Sequence, residues 1–119
     1  MKPDNIIQDK SYHFALRMIK LYRFLVDEKN EYVLSKQVLR CGTSIGANIE
    51  EAIGGQSEKD FLSKISIAYK EARETNYWLR LLRDSNYLPH PLAESLLSDC
   101  DEIIRILGSI QKTIRTRLP

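Results

Sequence analysis

Residues 92–114 read LAESLLSDCDEIIRILGSIQKTI, and their apolar positions decide the fold class. Leu92, Leu96, Cys100, Ile103, Leu107, Ile110 and Ile114 recur at intervals of four, four, three, four, three and four. That spacing draws one continuous stripe along an α-helix and would scatter over both faces of a strand. Glu94, Asp99, Asp101 and Glu102 fall early in the stretch, Lys112 falls late in it, and Arg115 and Arg117 follow directly after. Such a polarity complements the helix dipole, and Pro91 suits a first helical position.

The same period runs through the chain upstream. A first helix is predicted over about residues 5 to 28, with Ile7, Ser11, Phe14, Met18, Leu21 and Leu25 on its core face. Ala15, Ile19, Tyr22 and Val26 form a second apolar row beside them, and Asp27–Glu31 reads as a turn. A second helix is predicted from Tyr32 to Ile53, stopped by Gly54-Gly55. Its core row is Leu34, Val38, Cys41, Ile45, Ile49 and Ala52. Gly42 and Gly46 interrupt it, each about 1 kcal/mol less favourable in a helix than alanine. They predict close approach of a neighbouring helix, or a local kink. Ser57 is the expected N-cap of a third helix reaching about Ser85, with Phe61, Ile65, Ala68, Ala72, Leu79 and Leu82 inward. Asn86 and Pro89-His90-Pro91 separate it from the fourth. No period-two run is long enough for a strand. The chain reads as all-α, an up-down-up-down four-helix bundle forming a single domain over residues 1–119.

The 119 residues carry 18 basic and 16 acidic side chains, for a net charge of +2, with 43% hydrophobic and 29% charged residues. This composition excludes a disordered chain, and the length leaves room for one core. No apolar run approaches the ~20 residues of a membrane span, and the Met-Lys-Pro-Asp start lacks the apolar stretch of a signal peptide. Cys41 and Cys100 show no spacing suited to a disulfide framework or a zinc site. The expectation is a cytoplasmic protein with no membrane partner, no metal and no cofactor.

Two motifs are set aside. Gly42-Thr43-Ser44-Ile45-Gly46 matches the nucleophile elbow of α/β-hydrolases, which needs a strand before the serine and a parallel sheet to carry it. Here it falls inside a helical repeat. Di-iron bundles use Glu-x-x-His pairs, but Lys10 precedes His13 and Tyr87 precedes His90 at that spacing. No catalytic residue is assigned.

Polar rows are more informative. Gln37, Ser44, Asn48 and Glu51 lie beside the core row of helix two, and Ile67, Glu71, Glu74 and Trp78 flank that of helix three. Half-buried polar groups need partners. The rows either bond to one another and fix helix register, or form a subunit contact or ligand surface. Trp78, Ile67 and Leu81, together with the second row of helix one, exceed the apolar face a small bundle needs, which points to oligomerisation. Basic side chains gather at Lys10, Arg17 and Lys20, at Lys36 and Arg40, and at Lys112, Arg115 and Arg117. Repeated around an oligomer, they would offer many phosphate contacts.

Helices two and three carry a recognisable pattern. Leu34-x-x-Gln37-x-x-Arg40-x-x-x-Ser44-Ile45-x-x-Asn48-Ile49-x-Glu51-Ala52 is followed by Ser57-x-x-Asp60-Phe61. Ala68-x-Lys70-Glu71-Ala72-x-Glu74-Thr75-x-Tyr77-Trp78-Leu79 comes next. The chain resembles, over nearly its whole length, the four-helix-bundle proteins encoded by intervening sequences of 23S ribosomal RNA genes. That family includes the accessory protein of diversity-generating retroelements. The resemblance implies a homopentameric barrel and some affinity for RNA or DNA. The retroelement accessory protein is strongly basic, whereas this chain is only +2. The expected function is a non-enzymatic oligomer with weak-to-moderate RNA or DNA binding through the basic set. The alternative is an interaction scaffold for an unidentified protein, without nucleic-acid binding.

Overall fold

The computed structural model describes the backbone of residues 3–119 and the side chains of residues 6–119. The Met-Lys-Pro-Asp start therefore falls largely outside the described residues. Four helices account for nearly all the rest: α1 (Pro3–Lys29), α2 (Leu34–Ile53), α3 (Glu58–Asp84) and α4 (His90–Arg117). Among the described residues there is no strand, and no helix is long and apolar enough to cross a membrane.

Side-chain contacts fix the topology. Gln8 meets Glu50, and Met18 lies against Gly42, so α1 and α2 run antiparallel. Glu51 pairs with Lys64 and Arg40 with Glu71, which sets α2 against α3. Ser66 with Gln111, Asn76 with Asp101, and Arg83 with Glu94 do the same for α3 and α4. Each helix packs on its neighbours in sequence, while α1 and α4 touch more lightly. The result is the up-down-up-down bundle.

The expected core rows of α1 and α2 are buried, apart from Leu34, which is half-buried. On α4 the buried face is turned toward α3. Ala93, Leu97 and Gln111 are covered, while Leu92 and Ile110 stay half-buried along the lightly packed seam with α1. On α3, Thr75 is buried too, its hydroxyl donating to the Glu71 carbonyl at 2.8 Å, and Phe61 is only half-buried. Both cysteines are buried and free, and burial pushes the Cys41 thiol up to about 11 and the Cys100 thiol up to about 12. They behave as small apolar residues.

Of the two outcomes predicted for Gly42 and Gly46, close approach is the one found. A β-carbon at position 42 would stand 2.6 Å from the Met18 sulfur, and one at position 46 would stand 3.4 Å from the Ser11 carbonyl oxygen. The bare glycine surface is thus filled by α1.

The helix ends differ from expectation at two places: α1 runs on through Asp27, Glu28 and Lys29, which leaves only the end of the expected Asp27–Glu31 turn, and α2 starts late. α2 begins at Leu34, not Tyr32, because Glu31 caps it. The Glu31 carboxylate accepts from the amides of Val33, Leu34 and Ser35 at 3.2, 3.0 and 2.7 Å, and the Ser35 hydroxyl donates back to the Glu31 carbonyl. Tyr32 and Val33 are left exposed outside the helix. Ser57 caps α3 as expected, accepting from the Asp60 amide at 3.1 Å. Asn30 and Asn86 take the left-handed conformation at φ 52° and 66°, ending α1 and α3. After Asn86 the amide of Tyr87 closes on the Leu82 carbonyl, and that of Asn86 on Arg83, the pattern of a Schellman cap.

Two stability outcomes follow. Gly42→Val should lower unfolding stability by about 1–3 kcal/mol through overpacking, and by less when Met18→Ala is present. A denaturant double-mutant cycle reads this. Burial opposes the charge on Glu31, yet its amide hydrogen bonds outweigh that and hold the carboxyl below the usual carboxylate range. A depressed folded pKa stabilises the native state above the unfolded pKa, near 4.5, and that contribution is lost as pH falls through the folded value. Glu31→Gln should cost about 1 kcal/mol at pH 7. The gap to the wild type should close in urea titrations carried out progressively below pH 4.5.

Candidate nucleic-acid interface

The eight basic residues expected to meet phosphate fall into two groups. Lys10 pairs with Glu102 at 2.9 Å, and Arg17 with Asp99 at 2.6 Å, reaching the Ser95 hydroxyl as well. Both clamp α1 to α4 across their thin seam. Arg40 binds Glu71 at 3.4 Å and also Glu74, and Arg117 pairs with Glu58 at 3.3 Å. These four cations pair between helices and have carboxylates already in place. Lys20, Lys36, Lys112 and Arg115 are exposed and make no ion pair among the described residues.

The polar rows flanking the core do not bond directly to each other. Arg40, on α2 but outside its polar row, reaches the α3 row at Glu71 and Glu74, and the Trp78 indole donates to the same Glu74 carboxylate at 3.0 Å. Glu51 is held by Lys64 at 3.1 Å, and the Asn48 amide donates to the Ser44 carbonyl at 2.8 Å within its own helix. Gln37 and Ser44 are half-buried, with no side-chain partner among the described residues. Ser44 sits in mid-helix, so no elbow presents it. Among the described residues no group of three or more His, Cys, Asp or Glu could hold a metal ion.

Large exposed apolar side chains lie on α1 and α3, and also at Tyr32, Val33 and Ile53 at the two ends of α2. Tyr12, Leu16 and Ile19 line α1, with Tyr12 60% exposed, above a shallow groove floored by Ala15, Gly46 and Ala47. Ile67 and Leu81 line α3 on the side toward α2, flanking Trp78, which leans on the core.

One basic surface escaped the sequence reading. Tyr69, Arg73, Asn76 and Arg80, spaced four, three and four, share one side of α3. Asp101, Arg105, Gly108 and Lys112 repeat that spacing on α4. The stripes are registered by Asn76, whose amide donates to Asp101 at 3.0 Å, and by Tyr69, whose ring lies 3.6 Å from a β-carbon placed on Gly108. The signal was present as an aromatic residue four positions before an arginine.

With this geometry in place, the comparisons with known proteins can be read. The model of the family described as 23S rRNA-intervening sequence protein matches residues 3–109. The chain belongs to that family. A crystal structure from Bacteroides thetaiotaomicron VPI-5482, of a protein with unknown function from the S23 ribosomal protein family, is similar in sequence and fold. It is 52% identical over 93% of this chain and 99% of its own, with a TM-score of 0.91. No curated protein matches. The intervening-sequence family membership agrees with the motif reading of α2 and α3.

The two groups of cations are separable by mutation. Arg17→Glu places like charges beside Asp99 and should destabilise by about 1 kcal/mol, whereas Lys20→Glu should change thermal stability by less than about 0.5 kcal/mol. Trp78→Ala should cost about 2 kcal/mol, below the full-burial range, because part of the ring already faces solvent.

Proposed function

We propose that this intervening-sequence protein acts without catalysis, as a homo-oligomeric barrel, pentameric by family resemblance, that binds RNA or DNA through its unpaired cations. The observation that carries this reading is the pair of apolar stripes on different helices. A stripe on α1 can be covered by the stripe on α3 of another copy, and where the two do not pair reciprocally each copy keeps one stripe free for the next. Pairing α1 of one copy with α3 of the next is a heterologous contact, and such contacts close into rings when the rotation allows. A ring multiplies Lys20, Lys36, Lys112 and Arg115 by the subunit number, so modest per-chain charge becomes substantial phosphate affinity.

A specific observation supports the alternative as well. Lys10, Arg17, Arg40 and Arg117 are neutralised internally, which favours a scaffold presenting its surface to a protein.

Light scattering on a size-exclusion column should give a mass several times 13.8 kDa, and Leu16→Glu or Leu81→Glu should reduce it to the monomer. Fluorescence anisotropy with labelled RNA and DNA should show affinity whose logarithm falls linearly with log salt, at a slope exceeding what one subunit's cations supply. An oligomer without binding at low salt, capturing a protein that survives nuclease treatment, would favour the scaffold.

A further inference from the structure

The α3/α4 ridge departs from a uniformly solvated charged face in how its cations and rings are arranged. The Arg73 guanidinium lies 5.9 Å from the Tyr69 ring centroid and donates to its hydroxyl at 3.4 Å. Arg80 lies 5.8 Å from the Tyr77 centroid, and its Nε donates to Asn76 at 2.9 Å. Neither arginine is in an ion pair among the described residues, and neither is Arg105, although Asp84 lies near enough for the Arg80 charge to act on it. The one carboxylate within the two stripes, Asp101, accepts from Asn76. Tyr69 is anchored on α4 over Gly108, while Tyr77 is 48% exposed, with its edge propped by Trp78 at 5.3 Å between centroids. The ridge therefore offers a solvent-facing Tyr77 ring, with the Arg80 guanidinium over one side, between Arg73 and Arg80 about one helical turn to either side.

We infer that this ridge is a binding site for single-stranded nucleic acid, with Arg73, Arg80 and Arg105 on the phosphates and Tyr77 as a stacking platform for a base. The inference rests on the nucleic-acid reading above and adds the location and the strand state. Duplex bases are already stacked and cannot reach a tyrosine face, whereas an unpaired base has its π-face free. Stacking on an aromatic ring flanked by phosphate-binding cations is how sequence-tolerant single-strand sites are built. The contacts of Arg73 with Tyr69, and of Arg80 with Tyr77 and Asn76, orient these two arginines beforehand, which reduces the ordering lost on binding.

The test uses the full chain and fluorescein-labelled probes: a 20-nucleotide oligouridylate, the matching oligothymidylate, and a 20-base-pair duplex. Single strands should bind at least about fivefold tighter than duplex at equal salt, given the size of base–aromatic stacking. Tyr77→Ala should weaken single-strand binding about fivefold or more and leave duplex binding unchanged. Arg73→Gln with Arg80→Gln and Arg105→Gln should lower affinity about tenfold and flatten the salt slope. Lys20→Gln with Lys36→Gln should lower affinity by a smaller factor than the arginine variant and leave the preference for single strands intact. Comparable affinity for both homopolymers would mark a backbone-and-base site, and a preference for the oligouridylate would add a 2′-hydroxyl contact. Circular dichroism confirms that each variant is folded. Loss of binding in the Lys20/Lys36 variant with none in the arginine variant would overturn the location and leave nucleic-acid binding standing. Equal affinity for strand and duplex, with Tyr77→Ala silent, would overturn the stacking role. A wild type that binds none of the probes at low salt would overturn the underlying reading itself.

Discussion

Met18 occupies the space that any side chain at position 42 would need, and much else in the bundle follows from that contact. Gly42 and Gly46 sit one helical turn apart on the side of α2 that meets α1, where the Met18 side chain fills the space over Gly42 and the Ser11 backbone lies in contact range of position 46. Two glycines in mid-helix are unfavourable in isolation. Here the loss is offset by burial of Met18 and Ser11, both almost wholly covered. With α1 drawn down on α2, the outer side of α1 has nothing to cover it. Tyr12, Leu16 and Ile19 are left exposed as a consequence.

The opposite seam works differently. Between α1 and α4 the packing is thin, and a groove lined by Leu21, Phe24, Leu92 and Leu96 remains partly open. Ionic clamps, Lys10 to Glu102 and Arg17 to Asp99, span it. Exposed pairs of this kind each contribute little to stability. Their larger effect is on charge: they take two of the most prominent cations out of the basic set and give them carboxylate neighbours. Net charge alone does not reveal this. The chain is +2 overall, but its free cations lie on α2, on the outside of α1 and on the α3/α4 ridge.

Most of the bundle is legible in the sequence because core burial imposes a period that any reader of the chain can see. Ile7, Phe14, Met18, Ile45, Ile49, Leu79 and Leu107 all lie where that period places them. The misses share one cause: each depends on register between helices or on a side chain folding back on the backbone. Glu31 looks like part of a charged turn, since glutamate is a poor cap by preference; only the three-dimensional turn brings its carboxylate to three amides. Leu92 and Ile110 carry the right period, but their exposure is set by how lightly α4 touches α1. Arg17 and Arg40 carry the right charge, but their partners lie 82 and 34 residues away in sequence. The ridge of Tyr69, Arg73, Asn76 and Arg80 was visible in principle, because its spacing is regular. Its charge is inconspicuous in the sequence because the arginines alternate with Tyr69, Asn76 and Tyr77 instead of clustering.

The nearest-neighbour order of the helices has a kinetic meaning. Every extensive contact joins helices consecutive in the chain, and each pair is linked by a loop of a few residues closed by its own cap. Loop closure is therefore inexpensive in entropy at each step, and helical hairpins can form in any order before the last seam shuts. A chain wired this way belongs among the fast folders, in the microsecond-to-millisecond range typical of local helical topologies. It would emerge from synthesis able to bury its apolar stripes hairpin by hairpin, leaving for assembly only those stripes that no helix of its own can reach.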